Sequence, residues 1–380
     1  VCRTESAMRI AVLGGGFRGV EAVLEASRLG LADRCEVLWV DKNGRFEYLP
    51  ALPEILSGTS TPEELSGDLK LLAKKCGAEL VVGTVERVDL KGKKVLLEGG
   101  EKLEYDFVVI ALGAEPTFFN VKGRENAFPA YRLDDYVRIK ERLERLSGGS
   151  NVVVVGAGLT GVEVAGELAE YSHKTGKELN ITVVEKMDCA VPFLRHPKAS
   201  RLVEEYLVRR GVKFLYGKGV SEIKEGSVIL EDGTELLSDL TIWTAGLAPN
   251  GVSTRTEAPK RGRGWIVVDP CMRICSFKDA FAVGDVNCVD IRGKIAMKMA
   301  EEAMFQAKVA VENISRTLKG KPLVEHKIIF PIDSPKSLIA LGGGTVVLVY
   351  GKKVAIRSGL AYRLIKKWYI EKQYMKRFRS

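Results

Sequence analysis

The sequence lacks any hydrophobic run long enough to cross a membrane. None of its stretches approaches the roughly 18–20 consecutive apolar residues that a spanning helix needs. Its composition, 46% hydrophobic and 28% charged, is that of an ordinary globular protein, and 380 residues suffice for about two or three domains. Residues 1–7 are mixed and polar, so we expect no secretory signal there, and Met8 is a candidate natural start.

Cysteine is scarce and scattered. The seven cysteines lie at positions 2, 35, 76, 189, 271, 275 and 288. An odd number of scattered cysteines in a chain of this size predicts reduced thiols and no disulfide framework. We also predict no bound metal.

Positive charge is in excess, but it is concentrated at one end of the chain. The net charge is +9, and residues 357–380 contain eight Lys or Arg and one acidic residue, so this tail carries +7. A nucleic-acid-binding protein would need a basic face on a folded domain. We therefore expect no nucleic-acid partner.

Two glycine-rich fingerprints dominate what the sequence contains. In each, an apolar strand pattern leads into Gly-x-Gly-x-x-Gly and a helix pattern, and an acidic residue ends the next strand. The first glycine allows the tight turn, the second lets the backbone approach a pyrophosphate, and the third lets helix and strand pack closely. The candidate binding residues of the first fingerprint are Gly14, Gly16, Phe17, Gly19, Asp41 and Lys42. Those of the second are Gly156, Gly158, Thr160, Gly161 and Glu185. Two such patterns predict two bound dinucleotides and electron transfer between them.

Further motifs make the chain similar to the flavoproteins that have two dinucleotide-binding domains. Residues 111–113 read Ala-Leu-Gly after an apolar strand, and residues 281–285 read Phe-Ala-Val-Gly-Asp. The resemblance covers nearly the whole chain. It implies that FAD binds the first fingerprint together with Ala111, Gly113, Gly284 and Asp285, and that Asp285 bonds the ribityl or pyrophosphate region of FAD.

By the same resemblance, the second fingerprint binds NADH together with Ala245 and Gly246. Glu185 favours NADH over NADPH, because a carboxylate accepts hydrogen bonds from both ribose hydroxyls but repels a 2′-phosphate. A relic that no longer binds nicotinamide is the alternative, and Glu185 argues against it.

Within these flavoproteins, the chain most resembles the type II NADH dehydrogenases. The resemblance rests on residues 160–167, residues 243–250 and the basic C-terminal segment around Trp368. It implies an NADH:quinone oxidoreductase, peripheral on the cytoplasmic face of the cell membrane. Such an enzyme passes hydride from NADH to FAD and electrons on to a membrane quinone. A homodimer is left open.

We predict an α/β fold with two Rossmann-like dinucleotide-binding domains, the second inserted in the first, followed by a C-terminal β segment and an amphipathic helix. The FAD-binding domain comprises residues 8–120 and 265–323, the NADH-binding domain residues 130–255, and a membrane-association region residues 324–380. Helix patterns cover residues 295–318 and 360–378, and β patterns cover residues 324–355.

Two side chains are candidates for a catalytic role. Glu163 is either a carboxylate stabilised at a helix N-terminus or, by resemblance, a proton relay near the flavin–nicotinamide junction or the quinone. Gln306 keeps one position of a glutamine pattern that bacterial type II enzymes carry beside the quinone, whereas Glu301 and Phe305 replace others. In this respect the helix is closer to that of sulfide:quinone oxidoreductases.

The positions of the cysteines indicate which classes of flavoprotein fit the chain. Disulfide reductases of this superfamily need a close cysteine pair, and residues 42–75 and 151–188 contain no cysteine. Cys271 and Cys275 fit small residues in a turn better than a redox pair. Sulfide oxidation needs two cysteines that flank the flavin, one of them late in the chain, which leaves Cys189 or Cys288. A sulfide:quinone oxidoreductase and a non-catalytic NADH-sensing membrane flavoprotein therefore stay open as alternatives.

The C-terminal tail has the pattern of a helix that lies in the plane of a membrane. Leu364, Trp368 and Met375 recur near helical spacing with Lys and Arg between them. Such a stripe sits at the headgroup boundary while the basic residues meet anionic lipid. A surface or dimer helix is the alternative. We predict that residues 357–380 bind an anionic lipid surface and that hydride transfer needs nothing from them.

Overall fold

The computed structural model describes residues 8–359, 364, 367–368 and 374–379. Its α-helices are α1 (Phe17–Arg28), α2 (Leu69–Cys76), α3 (Leu133–Glu144), α4 (Leu159–Thr175), α5 (Pro197–Arg209), α6 (Gly251–Arg255) and α7 (Ala300–Leu318). Short 3-10 helices cover Leu49–Ile55, Arg124–Asn126, Pro192–Leu194, Gly284–Val286 and Met375–Phe378. No helix within these described ranges is long and apolar enough to span a bilayer.

The first fingerprint lies in a parallel five-stranded sheet. The strands, in order across the sheet, are Ala280–Ala282, Phe107–Ile110, Met8–Leu13, Cys35–Asp41 and Glu79–Val82. The central strand is buried from residue 9 to residue 13 and apolar from residue 10 to residue 13, as expected where helices cover both faces. Helix α1 packs against α7 on this sheet.

The second fingerprint lies in a second parallel sheet of five strands. Their order is Phe128–Pro129, Leu240–Trp243, Asn151–Val155, Asn180–Val184 and Lys213–Leu215. In both sheets the fingerprint strand is central. Strand Ala280–Ala282 of the first sheet follows the whole second sheet in sequence, so the second unit is inserted in the first. The predicted α/β fold with two Rossmann-like units is confirmed.

Antiparallel structure completes each unit. The first unit carries Val85–Asp89, Lys94–Leu97 and Lys102–Glu104, and the second carries Val220–Lys224, Ser227–Leu230 and Glu235–Leu237. Ala114–Pro116 pairs with Leu247–Pro249 where the chain passes between the units. The C-terminal sheet consists of Lys336–Ala340, Val346–Tyr350 and Lys353–Arg357 and packs on α4 and α5. Shorter pieces are Arg45–Glu47, Ser66–Asp68, Lys260–Arg261, Trp265–Val267, Asn287–Cys288, Asp290–Ile291 and Lys294–Ile295.

Two predicted boundaries are wrong. The helix predicted from residue 295 begins at Ala300, because residues 294–295 pair with residues 290–291 in a hairpin. The β structure predicted from residue 324 begins at Lys336. The apolar pattern ran continuously across the hairpin, so periodicity alone did not reveal where the helix starts.

The end of the tail is also not the membrane-lying helix that we predicted. Most of residues 360–373 lie outside the described residues, but Met375 and Phe378 are 1% and 4% exposed. Phe378 stacks on Phe46 of the first unit at 4.7 Å between ring centroids, and Tyr374 lies 4.9 Å from the ring of Phe17. The apolar side chains of Tyr374, Met375 and Phe378 therefore belong to the hydrophobic core and are not available to lipid.

Candidate functional site

The first fingerprint forms an open loop, the first cradle, in which contacts within the protein require glycine at positions 14 and 19. Gly14 has φ +108°, and a Cβ there would lie 2.6 Å from the carbonyl oxygen of Ala111. A Cβ on Gly19 would lie 1.7 Å from the oxygen of Gly14. A Cβ on Gly16 would meet no protein atom within 4 Å. No protein atom therefore requires glycine at position 16. A pyrophosphate that approaches the backbone there would require it.

The second fingerprint repeats this arrangement. Gly156 has φ +102°, and a Cβ on Gly161 would lie 1.9 Å from its oxygen, whereas a Cβ on Gly158 would meet nothing within 4 Å. Gly16 and Gly158 are also the N-caps of α1 and α4, and neither helix has a side-chain cap. Their first N–H groups are therefore available to a phosphate. The residues fit two dinucleotides.

The predicted acidic residues reach the glycine loops. The Asp41 carboxylate accepts a hydrogen bond from Gly15 N at 2.7 Å, and that of Glu185 accepts one from Ala157 N at 2.7 Å. Asp41 Oδ1 already accepts from Asn43 N and Gly44 N, and Glu185 Oε1 accepts from Met187 N. Asp41 Oδ2 and both oxygens of Glu185 therefore each keep capacity for a further bond, such as one from a ribose hydroxyl. Both acidic side chains therefore lie against the glycine loops, and their contact with a ribose stays a prediction.

Three other predicted residues contribute less directly. Phe17 turns its ring away, into the cluster with Phe46 and Tyr374, so that only its backbone faces the cradle. Lys42 is exposed beside Asp41. Thr160 is half-buried on the first turn of α4. The sequence pattern located these residues but did not show where their side chains point.

The strand ends opposite the fingerprints lie next to the glycine loops, and their contact with the cofactors stays a prediction. Ala111 lies against Gly14, and Ala245 lies 3.1 Å from a Cβ built on Gly156. Gly113 and Gly246 both have positive φ, +74° and +77°. The two units therefore present equivalent glycines at the edge where a dinucleotide would leave its loop.

The Gly-Asp motif closes the first cradle. Gly284 has φ +76°, and Asp285, 9% exposed, forms an ion pair with Arg18. Gln306 Oε1 accepts hydrogen bonds from Gly284 N at 2.8 Å and from Asn287 Nδ2 at 3.2 Å. Gln306 thus holds the Gly-Asp turn in place, whereas its predicted contact with a quinone stays a prediction.

A cavity opens between this turn and the start of α7. Its lining includes Asp285, Cys288, Met297, Lys298 and Gln306. Although Lys298 is exposed as a residue, its ammonium group donates to the carbonyl oxygens of Asp285 and Asn287 and lies over the ring of Trp265. Desolvation of that group lowers the pKa of Lys298 to about 8.

Sequence reasoning missed Arg18 and Lys298. Arg18 stands inside the first fingerprint, where a charged residue among the glycines was the available signal. Lys298 lies in an irregular segment before α7 that the predicted helix had covered. Position alone gave no indication that the ammonium group turns toward the Gly-Asp motif.

Glu163 lies on the second unit, facing the C-terminal sheet. Its Oε1 accepts a hydrogen bond from Ala340 N at 3.0 Å. Glu167, one turn later, is 4% exposed and accepts a hydrogen bond from Ser57 of the first unit. Both carboxylates therefore join α4 to neighbouring elements, and a proton-relay role for Glu163 stays a prediction.

Helix α7 also carries a buried carboxylate, Glu302, next to the predicted Glu301. Glu302 is fully buried and bonds His326 Nε2 at 2.5 Å and Phe330 N at 2.8 Å. Burial alone would raise the pKa of Glu302, but these bonds lower it below its ordinary value. Glu301 and Phe305 face solvent. The inward face of α7 therefore carries Glu302 and Gln306.

The cysteines that the structure describes are free. Cys35, Cys76, Cys189, Cys271, Cys275 and Cys288, which are the cysteines in the described part of the chain, form no disulfide. Cys271 N bonds Asp269 Oδ1 at 2.8 Å within a turn, as the turn interpretation of residues 271–275 predicts. Among the described residues no group of three or more His, Cys, Asp or Glu has the arrangement of a metal site.

Comparison with known proteins agrees with this geometry. The family model described as pyridine nucleotide-disulphide oxidoreductase matches residues 8–313. An alternative NAD(P)H-ubiquinone oxidoreductase of Arabidopsis thaliana is 30% identical, covering 84% of this chain and 69% of that protein. A type II NADH:quinone oxidoreductase of Staphylococcus saprophyticus is 26% identical, covering 91% and 90%. The sulfide:quinone oxidoreductase structure from Aquifex aeolicus is 20% identical, covers 96% and 90%, and has a TM-score of 0.82, which shows a common fold.

Proposed function

Because the chain belongs to the pyridine nucleotide-disulphide oxidoreductase family, we propose that it passes electrons from NADH through FAD to a membrane quinone. The predicted class of enzyme, a type II NADH:quinone oxidoreductase, and its cofactors FAD and NADH are confirmed by the family and by these relatives. The observation that carries the proposal is the pair of open cradles at Gly16 and Gly158, one in each unit.

The residues of the chain divide the work of binding and alignment between the two units. When bound, FAD supplies the hydride acceptor and the electron carrier. Glu185 and the N-terminus of α4 hold NADH, while Asp41 and the N-terminus of α1 hold the ADP half of FAD. Lys298 places a cation beside the Gly-Asp motif, where it favours negative charge in the cavity.

The proposal includes a membrane quinone as the electron acceptor and a contact between the protein and the membrane surface. A lipid-soluble quinone calls for contact with a bilayer, and Leu364 and Trp368 are 57% and 49% exposed. Together with the basic residues of the tail, they favour binding to an anionic lipid surface. We propose residues 357–368 as the contact, since Met375 and Phe378 are buried in the first unit.

The choice of nicotinamide cofactor is predicted to follow Glu185. Glu185→Arg should shift the kcat/KM ratio of NADH to NADPH toward NADPH by about tenfold or more, because a carboxylate that repels the 2′-phosphate becomes its partner. Glu205→Arg, at an exposed site on α5, is the matched charge reversal and should leave the ratio unchanged. Equal efficiency of the wild type with both cofactors would contradict a contact between Glu185 and the ribose.

The proposed reaction is tested with the whole chain and two reagents, NADH and a quinone. NADH should bleach the yellow protein without oxygen, a water-soluble ubiquinone analogue should restore the colour, and continuous NADH oxidation should follow. Bleaching without rapid recovery by any quinone would instead support an NADH-sensing flavoprotein.

Sulfide oxidation is the second candidate, because Cys288 lines the cavity beside the Gly-Asp motif and the fold is shared with a sulfide:quinone oxidoreductase. It predicts that sulfide alone bleaches the protein and that Cys288→Ser prevents this. We expect no bleaching by sulfide, since that reaction needs two cysteines that flank the flavin and Cys288 is the one cysteine among the described residues that line this cavity.

A further inference from the structure

Arg18 occupies the cradle of the first unit. It is the second residue of α1, is 8% exposed, and lies between the strand end at Gly113 and the Gly-Asp turn. A Cβ on Gly113 would lie 3.2 Å from Arg18 Nη1, and one on Gly284 would lie 1.9 Å from Arg18 Nε. The lack of a side chain at both glycines thus leaves room for Arg18, whose guanidinium lies next to each of them.

The second unit shows that the fold itself does not require a cation here. The two fingerprints align residue by residue, and Thr160 stands in the second unit where Arg18 stands in the first. Thr160 is half-buried, and the backbone of both loops is closely similar, with φ −75° at Gly16 and φ −66° at Gly158. Arg18 is therefore an addition specific to the first cradle.

The hydrogen bonding of Arg18 is incomplete. Its Nη2 pairs with Asp285, but its buried Nε has no hydrogen-bond partner among the described residues. A buried guanidinium N–H without an acceptor costs free energy. Lys298 adds a second positive charge next to the single carboxylate of Asp285, so the site carries one more cation than anion. An anion with several oxygens would satisfy both the charge and the open donor.

We propose that Arg18 is a binding residue for the pyrophosphate of FAD, and that its ion pair with Asp285 is exchanged for the pyrophosphate when FAD binds. Arg18 directly follows Gly16 and Phe17 at the start of α1, whose first N–H groups have no side-chain cap. Its planar guanidinium suits phosphate oxygens. The exchange frees Asp285 to accept hydrogen bonds from hydroxyl groups. This inference rests on FAD binding and does not depend on the electron acceptor.

The test measures FAD affinity in the full-length protein. Dilution of the yellow holoprotein releases FAD, the fluorescence of free FAD gives its Kd, and added ADP or adenosine competes for rebinding. Arg18→Met should raise the FAD Kd and the ADP inhibition constant together by about ten- to a hundredfold, the size of a charge-assisted phosphate contact. The inhibition constant of adenosine, which lacks phosphate, should change less than about twofold.

The controls keep the outcome interpretable. Arg28→Met removes an exposed arginine from the same helix and should change none of these constants. If circular dichroism shows that Arg18→Met is unfolded, Arg18→Thr replaces it, since Thr is the residue that the second unit carries at this position. An unchanged or lower ADP constant in a folded variant would overturn the proposal. An equal loss for adenosine would overturn it too, because Arg18 would then only shape the cleft.

Discussion

Phe378→Ala should lower the free energy of unfolding by about 3–5 kcal/mol, the usual cost of truncating a buried phenylalanine. Phe378 is 4% exposed, stacks on Phe46 and fills the space above Gly67, where a Cβ would lie 2.4 Å from its ring. The ring cluster continues through Tyr374 to Phe17, the first residue of α1. The loss should therefore be visible in urea melts and in weaker retention of FAD.

Trp368→Ala is the control that separates the two parts of the tail. Trp368 is 49% exposed, so its removal should change stability by less than about 0.5 kcal/mol while reducing sedimentation with anionic liposomes. Equal stability of both variants would show that the chain end does not belong to the core. Unchanged liposome binding of Trp368→Ala would count against the proposed lipid contact.

The second large effect is a contrast between two glycines of one fingerprint. Gly19→Val should destabilise the protein by roughly 4 kcal/mol or more, because the new side chain overlaps the backbone oxygen of Gly14. Gly16→Val should change stability by no more than about 1 kcal/mol, since the site is open and φ is −75° there. The Gly16 variant should nevertheless purify without FAD, because its side chain fills the space for the pyrophosphate.

The second unit provides a matched pair for this experiment. Gly161→Val should unfold and Gly158→Val should fold, but the latter should keep FAD and lose NADH binding. Thermal melts and the absorbance of bound flavin report both results. A Gly16→Val protein that retains FAD, or a Gly158→Val protein that loses it, would show that the two cradles have been assigned to the wrong cofactors.

The fold and the cradles could be predicted because local rules determine them. A Gly-x-Gly-x-x-Gly segment between an apolar strand and a helix admits few backbone paths, since the turn needs positive φ and the third glycine must contact the strand. The order of the two fingerprints and of the Gly-Asp motif placed the second unit inside the first. Asp41 ends the neighbouring parallel strand of its sheet and Glu185 directly follows that of the other, which is why both reach the glycine loops.

The tertiary structure alone decided what the side chains between these motifs do. Gln306 holds the turn at Gly284. The Met375–Phe378 segment packs against Phe46 of the first unit, although the two are more than three hundred residues apart in sequence. Helical spacing could not distinguish a residue buried against Phe46 from one facing lipid, because both are apolar on the same stripe. Likewise, only the assembled sheet brings Arg18, Asp285 and Lys298 together, since their proximity depends on strand order and not on sequence separation.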